Sequence, residues 1–323
     1  MKALALLSGG LDSILAARLV MDQGVEVIGV SFESPFFGAA KAGEAARELG
    51  IELVVVDIGE ELLEIVASPK HGYGKHLNPC IDCHALMLRR AGRLLDELGA
   101  SFVVTGEVVG QRPKSQMRFG LRAVESESGL DGLLLRPLSA RLLEPTVPER
   151  EGWVDRSTFL DLHGRTRKPQ LELAERYGIT TYESPAGGCL LADENVARGV
   201  RDLLEHGQLT IPAARIVAVG RQFRLSPRAR LAVGRNHAEN EVLSRQRPED
   251  ASFVKVVEHK GPLGVLTGLP GREDEELAAR VVARYADTEG GAVVRVRIWG
   301  GPGGSRTIEV MPLDPRTTRS LAI

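Results

Sequence analysis

The N-terminal part of the chain alternates short apolar runs with amphipathic segments. Apolar residues recur every three to four positions in the amphipathic segments, which predicts helices at 13–22, 39–49, 60–67, 84–98 and 169–177. The continuous apolar runs predict strands at 2–7, 25–32, 53–57, 102–105 and 133–135. This alternation is typical of βαβ units, which build a parallel sheet with helices on both faces. We therefore predict a doubly wound α/β domain over residues 1–192.

The pattern changes near residue 195. Helices are predicted at 196–205 and 273–286, and strand-like segments at 215–219, 230–233, 253–257, 293–298 and 307–311. The glycine-rich segment 300–304 is typical of a hairpin loop. We predict a second, smaller α+β domain over residues 193–323.

A glycine turn separates the first predicted strand from the first predicted helix. Its sequence, SGGLDS, occupies residues 8–13. Gly9 and Gly10 allow the backbone to turn tightly and to bring bare N–H groups close to an anion. The following helix directs the positive end of its dipole at the same place. The segment therefore predicts a phosphate site, although it lacks the lysine of the Gly-x-x-x-x-Gly-Lys motif.

Cysteine is rare in this chain, which contains only three. Cys80 and Cys83 form a Cys-x-x-Cys pair, and Cys189 lies far away in the sequence. An odd, small number argues against a secreted disulfide framework and favours catalytic or metal chemistry in a reducing compartment. The pair by itself is compatible with redox, zinc or iron–sulfur chemistry, or with buried small side chains.

Segment 8–13 resembles the PP-loop of the ATP-pyrophosphatase superfamily. The resemblance implies that ATP, with Mg²⁺, is cleaved between its α and β phosphates and that AMP is transferred to a carbonyl oxygen. Asp12 would orient the turn or hold Mg²⁺. The residues expected at the nucleotide are Ser8, Gly9, Gly10, Leu11, Asp12, Ser13, Phe32, Thr105, Gly106, Gln111 and Arg112, with Lys114 also near the phosphates.

The cysteine segments 78–83 and 186–189 are similar to those of bacterial tRNA 2-thiouridylases (MnmA-like enzymes). Segments 105–113, 135–139 and 164–170 look like the same group. Position 80 is often Asp in that family, so Cys80 is a departure. Three cysteines also resemble the thiouridine synthases in which three thiolates hold a [4Fe–4S] cluster with one open iron. A persulfide relay between Cys189 and Cys83, or a zinc site completed by His84 or His76, remain alternatives.

These resemblances imply a tRNA thiolation enzyme that replaces a uridine carbonyl oxygen with sulfur. The partners would be tRNA and a sulfur donor, namely sulfide, a persulfide or a sulfur-carrier protein. His71 and His76 are candidate proton carriers. An amide-forming PP-loop ligase and a non-catalytic RNA-binding iron–sulfur protein are the competing interpretations. The basic residues expected to hold tRNA phosphate are Arg165, Arg167 and Lys168.

Charge and composition limit how RNA could bind. The net charge is −2, so any RNA-binding face must be local, as in the arginine-rich stretches 88–93 and 219–235. Aromatic residues make up 4% of the chain, which argues against a broad base-stacking platform. Segment 234–240 weakly resembles a motif of the NFACT-R domain, which makes residues 193–323 a candidate RNA-binding domain. The N-terminus lacks a signal peptide or membrane span, so we expect a cytoplasmic protein without membrane contact, with a homodimer left open.

Overall fold

The computed structural model describes residues 1–182, 188–288 and 291–323. The chain divides into two compact units, Met1–Ala192 and Asp193–Ile323. No helix within these three ranges has the length and apolar character needed to cross a membrane. Each unit is built around its own sheet, and the two sheets differ in kind.

The first unit contains a five-stranded, entirely parallel sheet in the order β3-β2-β1-β4-β5. Alternate residues of the first strand enter cores on opposite sides, because Ala3 and Ala5 share one core while Leu4 is fully buried outside it. The doubly wound α/β prediction is therefore confirmed. The strands are β1 (Lys2–Leu6), β2 (Glu26–Glu33), β3 (Leu53–Asp57), β4 (Phe102–Val104) and β5 (Leu134–Leu135).

Seven α-helices of the first unit connect and flank these strands. Gly50, Gly99 and Gly178 end three of them in the left-handed conformation, for which glycine has no steric cost. The helices are α1 (Leu11–Met21), α2 (Ala40–Leu49), α3 (Gly59–Ala67), α4 (Cys80–Leu98), α5 (Arg118–Ser128), α6 (Val147–Arg150) and α7 (Lys168–Tyr177).

The strand order places β1 at the point where the direction of winding reverses. Its neighbours are β2 on one side and β4 on the other. In open α/β sheets, ligands bind beyond the carboxyl ends of the strands at this switch point. The loops after β1, β2 and β4 therefore meet at the edge where a nucleotide is expected.

The second unit contains a six-stranded antiparallel sheet in the order β11-β10-β8-β9-β7-β6. The prediction of a second, α+β domain type is confirmed. Its strands are β6 (Arg221–Ser226), β7 (Ala229–Val233), β8 (Ser252–Val256), β9 (Gly264–Gly268), β10 (Val294–Trp299) and β11 (Arg306–Val310). Its helices are α8 (Glu194–Glu205), α9 (Ile211–Ile216), α10 (His237–Gln246), α11 (Arg272–Arg284) and α12 (Pro315–Ser320).

The prediction of a strand at 215–219 is wrong. The segment lies at the end of α9 and in the turn that follows it, because the Thr210 side chain caps that helix and Pro212 suits its first turn. The strand instead begins at Arg221. Helices α5, α6, α10 and α12 and strand β9 were not predicted. Segment 300–304 joins β10 to β11, as the predicted hairpin requires.

Candidate active site

The glycine turn after β1 is held closed by its own two serines. The Ser13 hydroxyl donates to the Gly10 carbonyl at 2.8 Å and accepts from the Ser8 amide at 3.2 Å. Gly9 adopts a φ of +81°, which favours glycine. α1 begins immediately afterwards, and Gly10 leaves its first turn without a side-chain cap. The turn and the helix N-terminus together present N–H groups suited to an anion.

Two glycines allow the start of α2 and the loop after β4 to approach this turn. A β-carbon at Gly9 would lie 2.6 Å from backbone and side-chain atoms of Lys41, and one at Gly106 would lie 2.5 Å from the Asp12 carbonyl. Gly106 follows β4 by two residues. The contact therefore brings the loop after β4 directly against the turn after β1.

Asp12 is the anionic group of the turn. Gln111 donates to its Oδ2 at 2.6 Å and in turn accepts from Gln170 at 3.1 Å. The Arg167 guanidinium lies 3.9 Å from Oδ1, which is buried and has no hydrogen-bond partner among the described residues. Gln111 therefore orients one carboxylate oxygen, and Arg167 lies nearest the other.

Both thiols of the Cys-x-x-Cys pair lie in the first turn of α4. The helix predicted at 84–98 begins at Cys80 instead, so the predicted boundary is wrong and the two cysteines lie in the helix, not in a loop before it. Residues three apart share a helix face, so Cys80 and Cys83 are neighbours. The Asn78 amide nitrogen lies 3.1 Å from Cys80 Sγ. Cys83 is buried, and Cys80 is half-buried.

Cys189 is held at the same edge of the sheet by a short 3₁₀ turn. Leu190 N donates to the Phe36 carbonyl at 3.0 Å, in the segment that follows β2. The backbone N–H groups of Leu191 and Ala192 donate to the Cys189 sulfur. Part of the predicted motif 186–189 lies outside the described residues, which resume at Gly188.

The three thiols are free and within electrostatic range of one another. Burial, and then the neighbouring Cys189, Cys80 and Asp82, raise the pKa of Cys83 well above its ordinary value. Burial also raises the pKa of Cys189 to about 11, although nearby N–H groups and Arg112 oppose the shift. Within the described ranges, no three His, Cys, Asp or Glu side chains form a metal-binding group.

A buried ion network behind the thiols was missed from the sequence. Glu107 Oε2 accepts from Arg136 Nε at 2.9 Å, and Glu107 Oε1 lies 3.1 Å from Nδ1 of His84, next to Cys83. Burial alone would raise the pKa of Glu107, but Arg136 and His84 lower it to about 2. The one signal in the sequence was a charged residue three positions after a buried strand. The network fixes the His84 ring through one nitrogen.

A second histidine is paired with a carboxylate in the same region. His71 Nδ1 lies 2.8 Å from Asp82 Oδ1, and the His71 amide donates to Oδ2 at 3.0 Å. Asp82 lies between Cys80 and Cys83 in the first turn of α4. His76, the other candidate proton carrier, donates its backbone amide to Asn78 Oδ1 at 3.1 Å.

The remaining predicted residues fall into different environments. Phe32 and Thr105 are buried, and the Thr105 hydroxyl donates to Glu107 at 3.2 Å. Arg112 is exposed but lies close enough to Cys189 to lower its pKa. The Lys114 ammonium donates to the Tyr73 carbonyl.

Of the three basic residues expected at RNA, two are on open surface. Arg165 and Lys168 are exposed. Arg167 instead lies against Asp12, and its side chain is only 18% exposed. The placement relates Arg167 to the glycine turn more closely than to the surface.

Two family models match the chain. Residues 1–141 match "Thiamine biosynthesis protein (ThiI)", and residues 220–320 match "NFACT protein RNA binding domain". The second match agrees with the resemblance of segment 234–240. In that segment, Asn236 caps α10 by accepting from the Glu239 amide at 3.0 Å, and Asn240 accepts from the Leu263 amide at 3.0 Å.

Several proteins with similar sequences are named as tRNA sulfurtransferases or thiouridylases. A "Probable tRNA sulfurtransferase" of Thermococcus kodakarensis is 34% identical over 119 residues, 34% of this chain and 30% of the relative. A "tRNA-specific 2-thiouridylase MnmA" of Geobacter metallireducens is 26% identical over 232 residues, 63% of this chain and 58% of the relative. The chain thus spans between about a third and three fifths of the length of these curated relatives.

Solved structures with distant similarity include "U34-tRNA thiolase NcsA from Methanococcus maripaludis with its [4Fe-4S] cluster". It is 18% identical, with a TM-score of 0.35, over 67% of this chain and 70% of that one. A "4-thiouridine synthetase - RNA complex with bound ATP" is 20% identical, with a TM-score of 0.39, over 67% of this chain and 52% of that one. The match of residues 1–141 to the ThiI family model, together with the names of the relatives, confirms the resemblance to PP-loop thiouridine synthases that the glycine turn and the cysteine segments predicted.

Proposed function

We propose that this chain is an ATP-dependent tRNA sulfurtransferase that adenylates a uridine carbonyl and replaces its oxygen with sulfur. One observation carries the proposal: the loop after β4 contacts both the glycine turn and a thiol. Gly106 packs against the Asp12 backbone, and Gln111 donates a hydrogen bond to the Asp12 carboxylate. Arg112, in the same loop, lowers the pKa of Cys189. A phosphate-binding turn and three free cysteines at one sheet edge are what such a reaction requires. The names of the relatives support the same reaction.

In the first step, the glycine turn binds ATP. The amides of Ser8, Gly10 and Ser13 bond within the turn, so the N–H groups of Gly9, Leu11 and Asp12 donate to phosphate oxygens. The tight contact at Gly106 excludes a side chain from the space beside them. The site fits Mg²⁺, a hard cation that prefers oxygen ligands, because Asp12 Oδ1 is a buried carboxylate oxygen with no hydrogen bond from any residue that the structure describes. Asp12 would hold the ion, which would neutralise phosphate charge. Gln111 fixes the carboxylate in place.

The chemistry then proceeds in two displacements. The uridine carbonyl oxygen attacks the α-phosphorus of ATP, and pyrophosphate leaves. Sulfide then attacks the activated ring carbon, the carbon–oxygen bond breaks, and AMP leaves with the former carbonyl oxygen. The base must be unstacked for its carbonyl to reach the phosphate. Arg112 is positioned to attract anionic groups beside Cys189.

The thiols provide the sulfur side of the site. Three free cysteines fit a [4Fe–4S] cluster by number and donor type, so Cys80, Cys83 and Cys189 would hold it. When bound, such a cluster supplies an open iron that can carry sulfide. The N–H groups of Leu191 and Ala192 stabilise negative charge on the Cys189 sulfur. A persulfide relay uses the same thiols, and a zinc site would need a further ligand such as His84.

The tRNA is the partner on which the two units would act together. The match to an RNA-binding domain supports RNA binding by residues 220–320. In the first unit, the exposed Arg165 and Lys168 supply positive charge in the segment that precedes and begins α7. We infer that the second unit holds the tRNA while the first modifies it.

The test is an anaerobic turnover assay of the full chain with tRNA, ATP, Mg²⁺ and sulfide. We expect one AMP, one pyrophosphate and one thiouridine per event, measured by nucleoside mass spectrometry. The same protein purified anaerobically should contain about four irons per chain if the cluster is present. Cleavage of ATP to AMP without thiouridine, together with ammonia incorporation in a parallel reaction in which ammonium replaces sulfide, would identify an amide-forming ligase. No AMP with any tRNA would overturn the proposal.

A further inference from the structure

Half of the outer face of the second sheet lacks a covering helix. The inward residues of β8, β10 and β11 pack with α11 in one core. On the opposite face, a smaller core that includes residues of α9 and α10 covers β7 and β9, and Phe253 at the start of β8 packs against it. The outward residues of β10, Arg295 and Arg297, are exposed, as is Lys255 on β8. The surface over β10 and over β8 beyond Phe253 is therefore open within the described part of this unit.

Two of the few aromatic side chains of the chain meet on this open surface. Trp299 of β10 is the register partner of Phe253 of β8, and their ring centroids lie 5.2 Å apart. Both rings are half-buried. Aromatic rings in contact on an exposed sheet form a surface on which planar groups stack.

Arginines flank this aromatic pair on both sides. The Arg297 guanidinium lies 5.4 Å from the Trp299 centroid, and the Arg247 guanidinium lies 4.7 Å from that of Phe253. Arg247 is fixed because its Nη1 donates to the carbonyls of Pro248, Glu249 and Ala251. The four side chains form a continuous row, Arg247–Phe253–Trp299–Arg297, which we name the stacking row.

The charge beside the stacking row is positive. Lys255 is the register partner of Arg297, so both cations project from the same face. Arg295 is paired with Glu258, and Glu309 lies opposite it at the far end of the strand. Arg297, which lies over Trp299, and its register partner Lys255 form no salt bridge with any described carboxylate. Planar rings next to such cations match the bases and phosphates of single-stranded nucleic acid.

We propose that the stacking row binds an unpaired RNA segment, with bases on Trp299 and the Arg297 guanidinium and phosphates near Lys255. This inference rests on the proposed function in one respect: tRNA thiolation identifies the bound RNA as tRNA. A double helix hides the faces of its bases, so the row would select loops or free ends. The low aromatic content of the chain predicted no broad platform, and this one is limited to two rings.

The experiment measures binding of the full chain to a fluorescent single-stranded octamer of uridine by anisotropy. Trp299→Ala should weaken binding about tenfold, as expected for one lost stacking contact, and Trp299→Phe should recover most of it. Arg297→Glu and Lys255→Glu should each weaken it severalfold and reduce the salt dependence. The matched control is Arg245→Glu, a 77% exposed arginine on α10, which should change binding less than twofold.

Three results would overturn the proposal. The first is that Trp299→Ala binds the octamer as tightly as wild type does. The second and third are that wild type binds a blunt RNA duplex, or a polyglutamate peptide of the same charge, as tightly as it binds the octamer. Thermal unfolding of each variant shows whether it is folded. Loss of thiolation with intact octamer binding would reject the proposed function alone, whereas intact thiolation of tRNA with no octamer binding would reject the stacking row alone.

Discussion

The two units carry their functional groups in different places. In the first, parallel sheet, the candidate groups lie in loops and in first helical turns at the carboxyl edge, because both faces are covered by helices. In the second, antiparallel sheet, they stand on an open face between neighbouring strands. An edge site surrounds a small reactant such as ATP, whereas a face offers a flat surface for a polymer. The comparison separates chemistry from RNA binding, and variants can test that separation.

The largest effect is expected from the cysteines. Cys80→Ser and Cys189→Ser should each lower thiouridine formation by at least about 1000-fold, because each removes a group that the sulfur-transfer step needs. Binding of ATP and of the uridine octamer should be unchanged, and equilibrium binding checks both. If either serine variant thiolates tRNA normally, the first unit does not use that thiol.

Gly106→Ala should lower kcat/KM for ATP by about 100-fold, since a methyl group 2.5 Å from the Asp12 carbonyl must displace the glycine turn. Steady-state formation of AMP gives the value. Gly43→Ala is the matched control, because its β-carbon would meet no atom within 4 Å and it lies in α2. Equal activity of the two alanine variants would show that the contact at Gly106 does not shape the ATP site.

Glu107→Gln should destabilise the first unit by roughly 3 kcal/mol at neutral pH, because Arg136 and His84 hold the folded pKa of this carboxyl at about 2, well below its ordinary value. A depressed carboxyl pKa contributes stability above pH 4.5, and that stability is lost as the pH falls towards about 2. The difference between wild type and variant should therefore shrink over that range in urea titrations. Glu26→Gln, at an exposed pair with Lys2, should cost less than about 1 kcal/mol. A difference independent of pH would contradict the ion network.

Alkylation of Cys189 in metal-free protein should be slow at pH 7 and rise about tenfold per pH unit towards pH 10. The thiolate is the reactive form, and the pKa of about 11 leaves little of it at neutral pH. Arg112→Ala should slow alkylation severalfold further, because Arg112 lowers this pKa, whereas Arg165→Ala should not. Mass spectrometry after iodoacetamide gives the rates, and a plateau near pH 8 would contradict the buried environment.

The site at the edge of the first sheet could be predicted from the sequence more fully than the stacking row on the second sheet. The glycine turn has a fixed local sequence between a strand and a helix, so segment 8–13 indicated its own position and chemistry. The parallel sheet followed from apolar runs of the right length. The start of α4 was misplaced because Pro79 suggested a loop, although proline is well tolerated just before a first helical turn.

Long-range pairings could not be predicted in this way. The network of Glu107, His84 and Arg136 joins residues 23 and 29 positions apart, and only the fold brings them together. The stacking row depends on the register of β8 with β10, which no local pattern determines. In α9, the cap at Thr210 outweighed the β-branched residues that suggested a strand.

The central claim is that the uridine oxygen leaves with AMP at this site. It can be measured with tRNA carrying ¹⁸O at the carbonyl of the modified uridine, in a single turnover with ATP and sulfide. Mass spectrometry of the released AMP should show one ¹⁸O atom per thiouridine formed. If the label appears in water and the AMP remains unlabelled, the carbonyl is not adenylated and the account is wrong.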